Sequence, residues 1–99
     1  MKSISSSELR ERIAMNDPSL VILDVRQPEE REVQKIDGDT LFIPLGELPH
    51  RIDELAEFKD KELIIYCRSG NRSGQACMFL EQQGFTHTVN LVGGMLKWS

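Results

Sequence analysis

Apolar positions along this chain gather into short runs set between polar, turn-rich stretches. The two clearest are Leu20-Val21-Ile22-Leu23 and Leu63-Ile64-Ile65-Tyr66. A short continuous apolar run bounded by turn signals predicts a strand buried on both faces, the habit of parallel sheets. Ile4 reads as an edge strand, Leu41-Phe42-Ile43 as a short strand stopped by Pro44, and Val89-Asn90-Leu91 as the last strand. Between these the spacing turns helical. Ser5 to Ser7 supply capping hydroxyls for a helix carrying Leu9, Ile13 and Ala14 on one face, and Asn16-Asp17-Pro18 ends it. Pro28-Glu29-Glu30 opens a short helix, with proline early and acids in the first turn. Leu48, Ile52, Leu55 and Phe58 recur at helical spacing. A further helix from about Ser73 to Gln83 turns Ala76, Cys77, Phe79 and Leu80 inward, and Gly84 stops it. Gly93-Gly94 marks a turn, and Met95 to Trp98 a clipped helical end. Strands alternating with helices predict an α/β domain with a mainly parallel sheet. Its binding crevice belongs at the carboxyl ends of the strands, and Cys67 directly follows such an end.

Composition narrows the function classes. The 99 residues suit one domain spanning residues 1–99. Hydrophobic residues make up 39% and charged residues 28%, as in ordinary globular proteins. A net charge of −4 argues against nucleic acid and against an anionic membrane surface. No run approaches the roughly 20 apolar residues that span a bilayer, and the start lacks the apolar centre of a signal peptide. A cytoplasmic protein is expected, as a monomer or weak dimer. Two cysteines, Cys67 and Cys77, make no disulfide framework and complete no zinc site. His50 and His87 stand at no metal-like spacing from either, so surface histidines and no metal are expected. Any anion bound here must be captured by a local positive site.

The segment Cys67-Arg68-Ser69-Gly70-Asn71-Arg72 offers one. A central strand places it rigidly, and Gly70 and Asn71 both tolerate positive φ, so the chain can curl into a tight bowl. Backbone N–H groups pointing into such a bowl form an anion nest. The following helix adds its N-terminal N–H groups and the positive end of its dipole. Arg68 and Arg72 add two charges, Arg72 being the better placed to face the bowl and Arg68 the more able to point outward. All of these favour thiolate over thiol, and thiolate is the nucleophile. A cysteine after a strand is often only a small buried hydrophobe, but here Cys, Gly, Asn and two Arg coincide in six residues. Cys77, on the helix stripe with Ala76 and Leu80, reads as an inert core residue that forms no disulfide with Cys67. Thiol reagents should reach Cys67 quickly and Cys77 only after unfolding.

Tyr66-Cys67-Arg68-Ser69-Gly70-Asn71-Arg72-Ser73 resembles the active-site loop of rhodanese-like domains, with Cys first and Arg sixth. Leu23-Asp24-Val25-Arg26 followed by Pro28-Glu29-Glu30 is similar to that family's early signature. Ile43-Pro44-Leu45 and Leu91-Val92-Gly93-Gly94-Met95-Leu96-Lys97-Trp98 are similar to its later landmarks, and together these cover nearly the whole chain in order. The resemblance implies a three-layer sandwich, a mainly parallel five-stranded sheet flanked by helices on both faces. It implies transfer of a sulfane sulfur through a Cys67 persulfide, with Arg68, Ser69, Gly70, Asn71 and Arg72 binding the substrate. The donor would be a small anion, thiosulfate or a persulfide; the acceptor a thiol, cyanide or a protein. No metal, nucleotide or organic cofactor is implied. Arg31, Gln34-Lys35-Ile36 and Asp37-Gly38-Asp39 depart from the family's usual aromatic, Gly-His-Ile and second Gly-Ala positions, in a region expected as supporting structure beside the site. Asp24, Arg26 and Glu30 are expected mainly as a structural ion-pair network. Two alternatives stay in view. One is a persulfide carrier in a sulfur relay. The other is a cysteine-dependent phosphatase, disfavoured because only four residues separate Cys67 from Arg72 where such loops need five.

Overall fold

The computed structural model describes residues 1–98; Ser99, the expected end of the domain, lies outside the described residues. Five strands form one sheet: β1 (Lys2–Ile4), β2 (Ile22–Asp24), β3 (Leu41–Phe42), β4 (Glu62–Tyr66) and β5 (His87–Leu91). Their order is β1-β5-β4-β2-β3 and every pairing is parallel. The helices are α1 (Ser6–Ala14), α2 (Pro28–Val33), α3 (Leu48–Arg51) and α4 (Asn71–Gln82), with 3-10 turns at Leu45–Glu47, Ile52–Phe58 and Gly94–Lys97. The expected α/β architecture with a parallel five-stranded sheet is what the chain adopts.

Local chemistry explains the elements. Ser5 closes a capping box on α1: its hydroxyl accepts from Glu8 N at 3.1 Å while Ser5 N donates to the Glu8 carboxylate at 3.1 Å. Asn16, in the turn after α1, is the one non-glycine with positive φ among the described residues. The second strand starts two residues later than Leu20, yet Val21 stays in the ladder through its carbonyl, which accepts from Ile64 N at 3.0 Å. The helical spacing from Leu48 to Phe58 resolves into one α turn, α3, continued as a 3-10 helix.

Strand alternation divides the core in two. Leu63, Ile65 and Cys67 join Leu23, Val25, Ala76, Cys77 and Leu80 on the face covered by α4. Ile64 and Tyr66 join Ile4, Leu9, Ile22, Leu91 and Trp98 on the opposite face. Ala14, expected inward with Leu9, is exposed at the end of α1, and Ile13 is half-buried. The period-2 pattern through β4 thus directs the Cys67 side chain toward α4, and the parallel sheet brings the ends of β2, β4 and β5 to one edge. Among the described residues no helix is long and apolar enough to cross a membrane.

Candidate active site

The loop after β4 is drawn tightly over the start of α4. Gly70 caps that helix at φ +106, a conformation that favours glycine. Asn71, which also tolerates positive φ, does not adopt it: it is already the first residue of α4, which begins two residues before Ser73. One left-handed residue suffices to turn the chain, so the helix starts immediately behind it. The Asn90 carboxamide, at the end of β5, donates to Gly70 O at 3.2 Å and accepts from the Ser73 hydroxyl at 2.5 Å. From the other side, Met95 N donates to Cys67 O and Leu96 N to Arg68 O, both at 3.0 Å. Gly94 makes that clamp possible, because a Cβ there would collide with the carbonyls of Cys67 and Arg68.

The thiol of Cys67 is held inside this loop. Its Sγ accepts from Gly70 N at 3.1 Å and from Ser73 N at 3.4 Å, and lies 3.4 Å from the Ser73 hydroxyl. Ser73 is the third residue of α4, so the sulfur occupies the place of a helix-capping oxygen. Burial alone would raise the Cys67 pKa, but the Ser73 hydroxyl and the N–H groups of Ser73, Gly70 and Ser69 outweigh it, and the thiol falls below its ordinary value. The residue is 0% exposed, as is Cys77. An open bowl was expected at Cys67; here Sγ turns toward α4 and is enclosed. Both cysteines are free.

The arginines part company. Arg72 forms a two-pronged pair with Glu30, at 2.7 and 2.8 Å. That contact, more than any other, holds the Glu30 carboxyl down to about 2 and raises the Arg72 pKa. Glu30 therefore leaves the expected network with Asp24 and Arg26 and becomes part of the site. Asp24 and Arg26 do pair, at 3.0 Å through both Nε and Nη2, with the Asp24 side chain fully buried. Arg68 is exposed and meets no acid within ion-pair distance among the described residues. Ser69 is also exposed and reaches the sulfur through its N–H.

The departures flagged in the sequence form a second network beneath the site. Arg31 Nη1 bridges Asp24 at 2.9 Å and Asp39 at 2.6 Å, and Asp39 accepts from the Tyr66 hydroxyl at 2.7 Å. Lys35 approaches Asp39 at 3.8 Å. Arg26 and Arg31 balance Asp24 and Asp39 around the residue that precedes Cys67, with Lys35 at the edge. Burial first, and the Asp39 contact second, push the Tyr66 hydroxyl well above its ordinary range. The sequence does not single out Ser73, Asn90 or Gly94 as site residues; Ser73 stands in the loop motif and Gly94 in the Gly93-Gly94 turn, while Asn90 carries no signal of its own.

Over the loop lies an open cavity of about 510 Å³. Arg26, Glu30, Arg68 and Arg72 supply its charge, while Val33, Met95 and Leu96 supply apolar wall. His50 and His87 are both exposed, and no cluster of three His, Cys, Asp or Glu suits a metal ion among the described residues.

Comparison with known proteins agrees with this architecture. The rhodanese-like domain family matches residues 5–99. A sulfurtransferase of Allochromatium vinosum is 39% identical over the whole chain, which spans 89% of that protein. The provisionally named sulfur carrier protein YrkF of Bacillus subtilis is 45% identical over 85% of the chain, corresponding to 44% of its own length. The crystal structure of a rhodanese-like domain protein from Staphylococcus aureus superposes with a TM-score of 0.84 at 36% identity, covering 100% of this chain and 92% of that one.

Proposed function

We propose that this chain, which belongs to the rhodanese-like domain family and shares its sulfur-transfer chemistry with sulfurtransferase relatives, works over residues 1–99 as one domain in which Cys67 accepts the sulfane sulfur. The observation that carries the reading is the convergence of Gly70 N and Ser73 N on Cys67 Sγ, with the Ser73 hydroxyl 3.4 Å away and able to turn its proton from Asn90 to a thiolate. These donors stabilise a thiolate without an external base. The thiolate attacks the outer sulfur of thiosulfate or a persulfide donor, and sulfite or a thiol departs with the bonding electron pair. The new persulfide then rests in the same nest until a thiol, cyanide or protein acceptor attacks its terminal sulfur. Arg72 and Arg68 draw the anionic donor to the mouth.

Wild-type protein should turn over thiosulfate and cyanide to sulfite and thiocyanate, and Cys67→Ala should lower that rate by on the order of 10³-fold or more while the circular dichroism spectrum stays unchanged. Retained activity in the variant would remove Cys67 from the mechanism. The likeness to a named sulfur carrier favours a second reading, a persulfide carrier. A carrier gives one equivalent of sulfite per chain and stalls with small acceptors, whereas a free-standing transferase cycles. Aryl phosphates should not be hydrolysed.

A further inference from the structure

Strand alternation sends Val89 and Leu91 of β5 into one core layer and turns Asn90 to the opposite face, where α4 lies. Its carboxamide is engaged at both ends. Nδ2 donates to Gly70 O at 3.2 Å, and Oδ1 accepts from the Ser73 hydroxyl at 2.5 Å. Chemistry fixes that orientation, because Gly70 O only accepts and must meet the NH2 group. Oδ1 therefore faces Ser73 and takes the single proton of that hydroxyl. The Cys67 sulfur lies 3.4 Å from the same Ser73 oxygen. While the hydroxyl proton points at Asn90, the sulfur contact is satisfied only by an S–H donating to the Ser73 oxygen. A thiolate has no proton to give and accepts one instead. Sγ and Asn90 Oδ1 then compete for one hydroxyl proton, and rotation about the Ser73 Cβ–Oγ bond decides between them.

We propose that Asn90 is a positioning residue of sulfur transfer: its Oδ1 holds the Ser73 hydroxyl proton whenever Sγ is uncharged and yields it to Sγ in the thiolate. The inference rests on Cys67 as the sulfur acceptor. On ionisation the thiol gives its proton to solvent, and the Ser73 hydroxyl turns to the sulfur. When the thiolate takes up the sulfane sulfur, the negative charge passes to the terminal sulfur and Sγ becomes a neutral, two-bonded atom. The hydroxyl then returns to Asn90. No proton leaves Ser73 at any step, and no oxidant is required. Asn90 thus stabilises the thiol and the persulfide against the thiolate that lies between them, the opposite of what Ser73 does. Its second bond, to Gly70 O, acts separately by holding the loop that aims Gly70 N at Sγ from 3.1 Å.

A double-mutant cycle separates the two bonds. Asn90→Leu and Asn90→Asp are each made with Ser73 intact and with Ser73→Ala, all in a Cys77→Ala background. Ultraviolet titration of the thiolate reads the Cys67 pKa. Intact mass reads the persulfide-to-thiolate ratio at fixed proportions of thiosulfate and sulfite, at a pH where Cys67 is ionised. With Ser73→Ala only the Gly70 bond remains to be lost, so that arm reads loop support alone. The charges around the loop are Arg72 paired with Glu30 of α2, Asp24 of β2 paired with Arg26, and exposed Arg68. They are common to every variant and cancel in the cycle. Relative to the Ser73→Ala arm, Asn90→Leu with Ser73 intact should lower the Cys67 pKa. It should also reduce the persulfide-to-thiolate ratio about three- to tenfold, the worth of one hydrogen bond. Asn90→Asp keeps the shape, offers a stronger acceptor and adds a charge shared by both backgrounds; its coupling to Ser73 should have the opposite sign in both readouts. It also carries the test should Asn90→Leu not fold. Equal effects in the two backgrounds, or couplings of reversed sign, would make Asn90 a brace for Gly70 and overturn the proposal. Should Cys67→Ala still transfer sulfur, it is the proposed function that falls; should Cys67 be required and the cycle be additive, only this inference does.

Discussion

Cys67 and Cys77 both lie on the α4 side of the sheet and both are wholly removed from solvent. Their thiols are nevertheless driven in opposite directions. Cys67 is surrounded by donors that α4 and its preceding loop present to the sulfur, and its pKa falls despite burial. Cys77, further along the same helix, packs with Ala76 and Leu80, and burial pushes its thiol up to about 11. Burial therefore does not decide the chemistry of a cysteine here; the number of N–H and O–H groups aimed at the sulfur does. Cys67 has those groups because it stands where the first turn of a helix has unpaired donors; Cys77 stands where that helix has already satisfied its own, and the Thr88 hydroxyl near it does not offset burial.

Removing what distinguishes Cys67 should erase the contrast in steps. The largest effect is expected at Arg72, whose charge acts on the Cys67 sulfur. Arg72→Ala also leaves Glu30 unpaired at the mouth, and should lower kcat/KM for thiosulfate by about 10–100-fold, the loss of a charge-assisted contact. Arg68→Ala removes only an exposed cation and should cost several-fold less; the reverse order in steady-state kinetics would mean that Arg68 is the arginine serving the sulfur.

Ser73→Ala removes a hydroxyl 3.4 Å from Sγ and leaves the two N–H groups in place. The thiolate loses the hydroxyl that can turn to it from Asn90, so the Cys67 pKa should rise. Because the thiolate is the active form, the rising limb of the pH–rate profile should move to higher pH by the same amount. Ultraviolet titration of the thiolate in a Cys77→Ala background measures the shift independently. An unmoved limb would assign the low pKa to the backbone alone.

The smallest effect belongs to Cys77. Cys77→Ala should retain sulfur transfer and lose about 1 kcal/mol of stability at neutral pH from a small cavity. With a folded pKa of about 11 against an ordinary 9.0, Cys77 resists ionisation that the unfolded chain permits, so wild type should lose stability as pH climbs through that window. Cys67, lowered in the fold, works in the opposite sense: its contribution is complete above 9.0 and fades as pH falls through its folded value. The cost of Cys77→Ala, read from urea midpoints, should therefore shrink between pH 9.0 and 11. A constant cost across that range would place Cys77 in a more polar setting than its neighbours provide.

What the amino-acid pattern revealed was local. The two apolar runs located β2 and β4, and the segment from Cys67 to Arg72 carried its own anion chemistry in six adjacent residues. Partners distant in sequence stayed hidden: Glu30 and Arg72 are 42 residues apart, and Asn90 reaches back 20 residues to Gly70. Nothing adjacent to Glu30 marks it as the partner of a loop arginine; only the parallel order β5-β4-β2 brings the start of α2 beside the start of α4. The same holds for Arg31 and Asp39, whose departure from the family pattern becomes intelligible as a pair bridged to Tyr66. The enclosed sulfur was also illegible, because a loop's composition does not tell how tightly Gly94 and Asn90 draw it down.

The contrast between the two cysteines is tested most directly by peptide-resolved mass spectrometry of native protein after exposure to thiosulfate. The expected result is one added sulfur atom on the peptide containing Cys67, none on Cys77, and its loss on treatment with a reducing thiol. Sulfur on Cys77, on both cysteines equally, or on neither while transfer proceeds, would contradict the assignment of the sulfur to the nest at the head of α4.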